Sequence, residues 1–471
     1  MKKLWIALTL LLVGGLTAGL LLFSECTQAT GNACLYVSTD GNDSNDGSRS
    51  DPLRTLDAAS EQTEPGMTVY VRGGTYEEPL EVAESGSSSK PITFEAYEDE
   101  EVILSGSSLE ESAGITAMIK VENQDFITIR GFTIQDLSTE LNNETPVGIF
   151  VHDSAEGITV DNNHVRGIET NADSGNAHGI AVYGREAVTD IEISNNTVED
   201  LVLGSSEAVV LNGNVEDFTI ASNTVRHNDN IGIDMIGYED VGDDPALDYT
   251  RNGTVENNTV YDNSSYGNPA YGEGEVYGAG GIYVDGGSDI DIKNNTVYRN
   301  DLGIEATSEQ DGEHADDIRI TGNTVYENNF TGISIGGYDE KRGGTKDSTI
   351  AENIMYRNDT KDLDGGQLLL QNDTENNRIE NNILTASSSR VFIANYFENN
   401  TGNEFRQNVY HREKGKESIW VWENEQVSTL NEFQSLVDSG TNSRYVNPEY
   451  KNASNYNFEL SQDSPAREVI E

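Results

Sequence analysis

The phrase Asn-Asn-Thr-Val, or a near copy, returns along the chain with its second asparagine at Asn196, Asn223, Asn258, Asn295 and Asn323. Looser copies stand at Asn353 and Asn382. The intervals are 27, 35, 37, 28, 30 and 29 residues. Ahead of each copy lies a short strand with alternate apolar residues: IEI from 191, FTI from 218, IDI from 290, IRI from 318. A second alternating strand opens each unit: GIAVYG from 179, AVVLNG from 208, GIDMIG from 232, GIYVDG from 281, GIEATS from 303, GISIGG from 332. A unit of this length, with several short strands and Asn/Gly turns, cannot bury its own apolar face. It must stack on its neighbours, as one coil of a parallel β-helix does, at about 4.8 Å per coil. The recurring asparagines are expected to bond to one another through their amides, up and down the turns.

The composition narrows the partners. Of the 471 residues, 29 are Lys or Arg and 82 are Asp or Glu, for a net charge of −53. Such a surface gives phosphates no basic footprint, which excludes nucleic acid as a partner. It suits a salty, halophilic medium, where a Debye length of about 3 Å at 1 M screens self-repulsion. Met1-Lys2-Lys3 followed by the apolar run 4–23 reads as an export signal, cut after Ala29 or Ala33, or as a retained N-terminal anchor, the one route to a membrane. The expected location is therefore extracellular. Cys26 and Cys34 are the only cysteines, so neither a disulfide framework nor a cysteine metal motif is expected.

Alignment of the opening strands on their first inward position gives Ile149, Ile180, Val209, Ile233, Ile282, Ile304, Ile333 and Leu368, a purely aliphatic column. The outward column beside it reads Phe150, Ala181, Val210, Asp234, Tyr283, Glu305, Ser334 and Leu369. The next outward column contains His152, Tyr183, Asn212, Ile236, Asp285, Thr307 and Gln371. Polar groups thus concentrate on three successive coils, at Asp234, at Tyr283 with Asp285, and at Glu305. No Lys or Arg in these columns neutralises them, and adjacent carboxylates repel unless they are used. His178 and Glu207 flank the patch just before their strands.

The two longest intervals bracket the same strands. The extra residues, 238–252 and 263–279, are expected to rise at opposite ends of one face and wall a groove. They carry Tyr238, Tyr249, Tyr266, Tyr271 and Tyr277, rings suited to stacking on sugars. A third loop, 337–347, brings Lys341, Arg342 and Lys346 to its edge. Asp229, Asn230 and Asp234 form an oxygen-rich set compatible with calcium, and DGNDSNDG (40–47) is either a calcium loop or a turn.

The opening stretch YVSTDGNDSNDGSRSDPLRTLDAAS…PGMTVYVRGGTY (36–76) and the tail NEFQ…RYVNPEYK…NYNFELSQDSPA (431–466) resemble secreted right-handed β-helix carbohydrate-active proteins, polysaccharide lyase family 9 and its relatives. The resemblance implies an all-β, single-stranded right-handed parallel β-helix with N- and C-terminal capping segments. The expected layout is a signal or anchor at 1–29, an opening segment with the first coils at 30–115, repeats at 116–410 and a closing segment at 411–471. It also implies a calcium held by an Asp-Asp-Gly-x-Asp motif and a lysine base. Asn230-Ile231-Gly232-Ile233-Asp234 keeps the last aspartate but has Asn and Ile at the first two places, and Tyr283 and Asp285 stand where the next coil would carry the lysine.

Paired carboxylates suit glycoside hydrolysis. Asp285 and Glu305, one coil and two residues apart, are expected about 8 Å apart at Cβ, a spacing compatible with either stereochemical outcome. An Asp and a Glu on neighbouring coils also resemble the arrangement in family 120 xylosidases. The lead expectation is a monomeric secreted hydrolase of polysaccharide or oligosaccharide. Asp285, Glu305, Asp234 and Tyr283 would be catalytic, and Tyr238, Tyr266, Tyr271, Asn212, His178, Glu207 and Arg342 would bind substrate, with calcium as the one candidate cofactor. The alternatives are a calcium-assisted lyase or epimerase with Tyr283 as base, and a non-catalytic carbohydrate- or surface-binding β-helix.

Overall fold

A computed structural model describes residues 34–470 apart from 273, 275 and 414–416. The expected signal or anchor at 1–29 lies outside these residues. Among them no helix is long and apolar enough to cross a membrane. Cys34 is disulfide-bonded, and the chain's other cysteine, Cys26, is outside the described residues.

The opening strands stack in parallel and in the register read from the sequence. Ile180 pairs with Val209, Val209 with Ile233, Ile233 with Ile282, Ile282 with Ile304 and Ile304 with Ile333. All six are fully buried. Alternation delivers this: every second β-branched or aliphatic side chain enters the core, and each coil supplies the floor for the next. The chain is therefore a right-handed parallel β-helix with one continuous aliphatic core. The ladder runs beyond the repeats at 116–410 at both ends. Cys34–Val37 already pairs in parallel with Thr68–Val71, and at the far end Val391 pairs with Ile419 and Val409 with Arg444. The terminal coils lack the asparagine turn, so the repeat does not mark them.

The asparagines form a ladder. From Asn163 through Asn196, Asn223, Asn258, Asn295, Asn323, Asn353 and Asn382, each backbone N–H and each side-chain Nδ2 donates to Oδ1 of the next coil's asparagine, at 2.8–3.2 Å. A second ladder, Asn228–Asn263–Asn300–Asn328–Asn358, runs at the turn before the opening strands. Both satisfy buried backbone groups at corners that no strand pairing reaches.

The glycine that starts these strands is required by this corner. A Cβ on Gly281 would lie 2.7 Å from Asn300 Nδ2 and 2.8 Å from the Gly303 carbonyl oxygen. Any side chain there would drive a wedge between coils.

Candidate active site

The outward column is continuous across the coils. Val210 pairs with Asp234, Asp234 with Tyr283, Tyr283 with Glu305 and Glu305 with Ser334. The strands are Glu207–Ala221, Ile231–Ile236, Gly280–Asp285, Leu302–Thr307 and Thr331–Ile335. Asp285 pairs with Thr307, which sets it diagonal to Glu305.

These side chains point away from the aliphatic core, as the alternation requires, but they are not on a solvated face. Asp234 is 2% exposed, Tyr283 4%, Asp285 4% and Glu305 7%. The three insertions roof them. After Ile236 the chain bridges antiparallel to Gly286, and the Tyr238 ring lies over the end of that strand, where a Cβ on Gly286 would meet it at 2.8 Å. Loop 238–252 then reaches back over earlier coils, with Arg185 Nη2 on Asp243 at 2.9 Å. Loop 263–279 closes the other end. Asn268 Nδ2 donates to the carbonyls of Gly204 and Asp229, and the Tyr271 hydroxyl donates to Asn230 Oδ1 at 3.1 Å.

Loop 238–252 and the turn after Thr307 add two carboxylates that the strand columns do not contain. Asn212 Nδ2 donates to Glu239 at 3.3 Å, and the Glu309 N–H donates to Asp285 Oδ1 at 2.6 Å. Four buried carboxylates, Glu207, Asp234, Asp285 and Glu305, thus share this face with the exposed Glu239 and the half-buried Glu309. The cation nearest in this network is Arg342, whose Nη1 lies 3.3 Å from Glu309 and donates to its carbonyl at 3.0 Å. Its guanidinium stacks 4.7 Å over Tyr338. Arg342 therefore clamps a roof carboxylate, while Lys346 pairs with Asp316 outside the column.

Burial is the main force on these groups. It raises Glu305 to about 8, with the Glu309 charge adding to it and the Ser334 hydroxyl opposing it. It raises Glu207 to about 8, with the Glu239 charge behind it. Asp234 is held well above the carboxylate range by burial, then by the charges of Glu207 and Asp285. Asp285 is also pushed well up by burial and the Glu309 charge, against which the Glu309 N–H works. Asp234 Oδ1 has no hydrogen-bond partner among the described residues. The face must hold protons near neutrality, which is the condition for a general acid.

His178 and Tyr183 form the adjoining network. His178 Nδ1 lies 3.1 Å from the Glu207 carbonyl and must donate to it. Nε2, 3.1 Å from the Tyr183 hydroxyl, accepts. This arrangement needs a neutral imidazole, and burial lowers His178 to about 4. The phenol of Tyr283 is pushed well above its usual value by burial and then by Asp285 and Glu305. It keeps its proton and is a donor.

The remaining predicted residues divide. Tyr238 stacks on Tyr249 at 5.5 Å and Tyr266 on Tyr277 at 5.2 Å. Tyr266 and Tyr271 stay 50% and 38% exposed at the rim. Asp229 and Asn230 are taken up by their turn: Asp229 Oδ1 accepts the Leu203 N–H at 2.6 Å, and Asn230 Nδ2 donates to Gly204. Both residues therefore hold their turn together. In the 40–47 stretch, Asn42 and Asp46 side chains accept the N–H groups of Ser44 and Ser48, the pattern of a turn.

Residues 35–199 match the family model described as Pel9A-like, right handed beta helix region, and residues 280–433 match right handed beta helix region. Over 98% of its length the chain is 54% identical to 99% of the uncharacterized protein YwoF of Bacillus subtilis (strain 168). The chain belongs to the YwoF family. A stretch of 162 residues, 33% of the chain, is 32% identical to 39% of the pectate lyase PEL9 of Emericella nidulans. The crystal structure of a GH136 lacto-N-biosidase from Eubacterium ramulus shares the fold with a TM-score of 0.52 at 13% identity, covering 88% of this chain and 67% of that one. The YwoF family thus sits among right-handed β-helix proteins with carbohydrate-active relatives. In this member the Pel9A-like match ends at residue 199, before Asp234, whereas the second match includes Tyr283, Asp285 and Glu305.

Proposed function

We propose that the chain is a secreted glycoside hydrolase acting on a polysaccharide or its oligomers, with Glu305 and Asp285 as the working pair. The observation that carries this reading is the register Asp234–Tyr283–Glu305 with Asp285 diagonal to it: acids on adjacent coils, buried, and unable to ionise together. Glu305, raised to about 8, is protonated at neutral pH and delivers its proton to the leaving glycosidic oxygen. Asp285 must be ionised for its part: burial and the Glu309 charge oppose this, and the Glu309 N–H on Oδ1 is the contact that supports its negative charge. It attacks the anomeric carbon, or takes the proton of a water that does. The proton count closes when water supplies hydrogen to Asp285 or Glu305 and hydroxyl to the sugar. Asp234, held protonated by burial and its neighbours' charges, orients substrate, and Tyr283 donates a hydrogen bond to it.

The partial match to a pectate lyase supports a second reading, β-elimination from a uronate chain. Its base would have to come from this face, and Tyr283 is poorly suited to that role because burial, and then the neighbouring carboxylates, hold the proton on it. Incubation with neutral and uronic polysaccharides, followed by both reducing ends and ultraviolet-absorbing unsaturated products, separates the two. Reducing ends without unsaturation support hydrolysis, and unsaturated products from uronates reject it.

A further inference from the structure

A cleft of about 820 Å³ lies at the turn edge of the helix, lined by Asp262, Arg299, Glu327, Arg357, Lys361, Arg412 and Glu413 together with small polar residues. Four of these side chains are cationic and three are anionic, a local balance of 4 − 3 = +1 in a chain of net charge −53. At about 0.1 M salt the Debye length is about 10 Å, so the local balance, not the distant acidic surface, decides what the cleft attracts.

Its arginines are held in place: Arg299 pairs with Asp262, Arg357 Nη2 pairs with Glu413, and Arg412 Nη1 donates to the Glu417 carbonyl at 3.0 Å. Asp262, Arg299, Glu327 and Arg357 occupy the same left-handed corner position on successive coils, with φ of 56°, 55°, 55° and 53°. Arginines therefore recur on alternate coils, about 9.6 Å apart along the axis. The Arg299 guanidinium lies 4.7 Å over the Tyr298 ring and that of Arg357 5.0 Å over Tyr356. Tyr261, Tyr298 and Tyr326 stack face to face at 4.7 Å beneath them. Arg299 spends Nε and Nη2 on Asp262, which leaves Nη1 outside the pair. Lys361 is exposed, and its ammonium has no ion-pair partner among the described residues, resting 5.4 Å over the Tyr277 ring. Planar guanidiniums stacked on aromatic rings are preorganised for carboxylates.

We propose that this cleft is a second saccharide site that binds a carboxylate-bearing polysaccharide chain, separate from the covered carboxylate face and independent of the reaction performed there. The cations at a two-coil repeat meet acid groups two sugars apart along the chain, and the hydroxyls of Thr360, Ser387 and Ser388 meet those of the sugar.

The test uses the full chain with Glu305→Gln, which slows turnover, in titration calorimetry at 0.1 M salt. The probes are a de-esterified oligogalacturonate and its methyl ester. The proposal expects binding of the acid form and at least about tenfold weaker binding of the ester. Lys361→Gln is expected to weaken binding of the acid form about tenfold, the scale of one charge-assisted contact, and Arg357→Gln to do the same. Lys361→Gln sits at an exposed position and its melting temperature will report an intact fold, so it decides the matter if Arg357→Gln fails to fold. No binding of the acid form, equal binding of the ester, or unchanged affinity in Lys361→Gln each overturns the proposal. A failure of the hydrolase reading would leave these affinities untouched.

Discussion

Asp285 accepts the backbone N–H of Glu309 through Oδ1 at 2.6 Å, so the strand end of one coil is tied to the loop that follows the next. Asparagine at 285 keeps that acceptor and removes the charge. Asp285→Asn is expected to lower turnover by at least about 10²-fold, the scale of acid–base and nucleophilic loss. Its melting temperature should hold or rise above pH 8, because one of several like charges has gone. A large fall in melting temperature would make Asp285 a structural acid.

Stability should depend on pH through the same face. Glu305 and Glu207 are raised to about 8 in the fold, well above their unfolded value, so the folded state binds more protons between pH 4.5 and 8. Their contribution is present below the unfolded value and is lost as pH climbs toward 8, by up to about 1.4 kcal/mol per pH unit per group. Melting temperatures measured from pH 5 to 8.5 should decline for the wild type and decline less steeply for Glu305→Gln. Parallel slopes would place the titration elsewhere.

His178 should remain a neutral imidazole through the physiological range. Its Nδ1–H donates to the Glu207 carbonyl, Nε2 accepts from Tyr183, and burial lowers it to about 4. Nitrogen-15 spectra of histidine-labelled protein should show one imidazole with unchanged neutral shifts from pH 8 down to pH 5. Tyr183→Phe should move its Nε2 resonance without charging the ring. A titration of this ring near pH 6.5 would contradict the network.

The asparagine ladder makes a stability claim that is independent of the site. Asn295 accepts from the N–H and Nδ2 of Asn258 and donates to Val255 and Asn323. Asn295→Ala strands buried donors at about 1–3 kcal/mol each, so urea unfolding should show a loss of about 3 kcal/mol or more. A loss below 1 kcal/mol would mean that water fills the gap.

The sequence displays the fold because each coil repeats one physical problem. Ile180, Val209, Ile233, Ile282 and Ile304 must alternate with outward residues, and the asparagines must close each corner, so both periods are written in the residues. The column Asp234–Tyr283–Glu305 was legible for the same reason, as were the insertions beside it. What alternation does not encode is which side of a strand a distant loop will cover. Asp234 and Glu305 read as members of an open groove and are instead roofed, because Tyr238, Asn268 and Tyr271 anchor loops across several coils. Glu239 and Glu309 escape a reading confined to strand columns. Both stand within three residues of a strand end, at 236 and 307, and that position was the available signal. Asp229 and Asn230 bond into their turn, a role that their composition alone does not display.

The most direct measurement is the pH profile of kcat/KM on a saccharide that the wild type cleaves, set beside Glu305→Gln and Asp285→Asn. The account predicts a bell whose alkaline limb falls near pH 8 as Glu305 loses its proton. Turnover should drop at least about 10²-fold in each variant, with the alkaline limb absent from what remains in Glu305→Gln. Full activity with an unchanged profile in both variants would contradict the assignment of this pair.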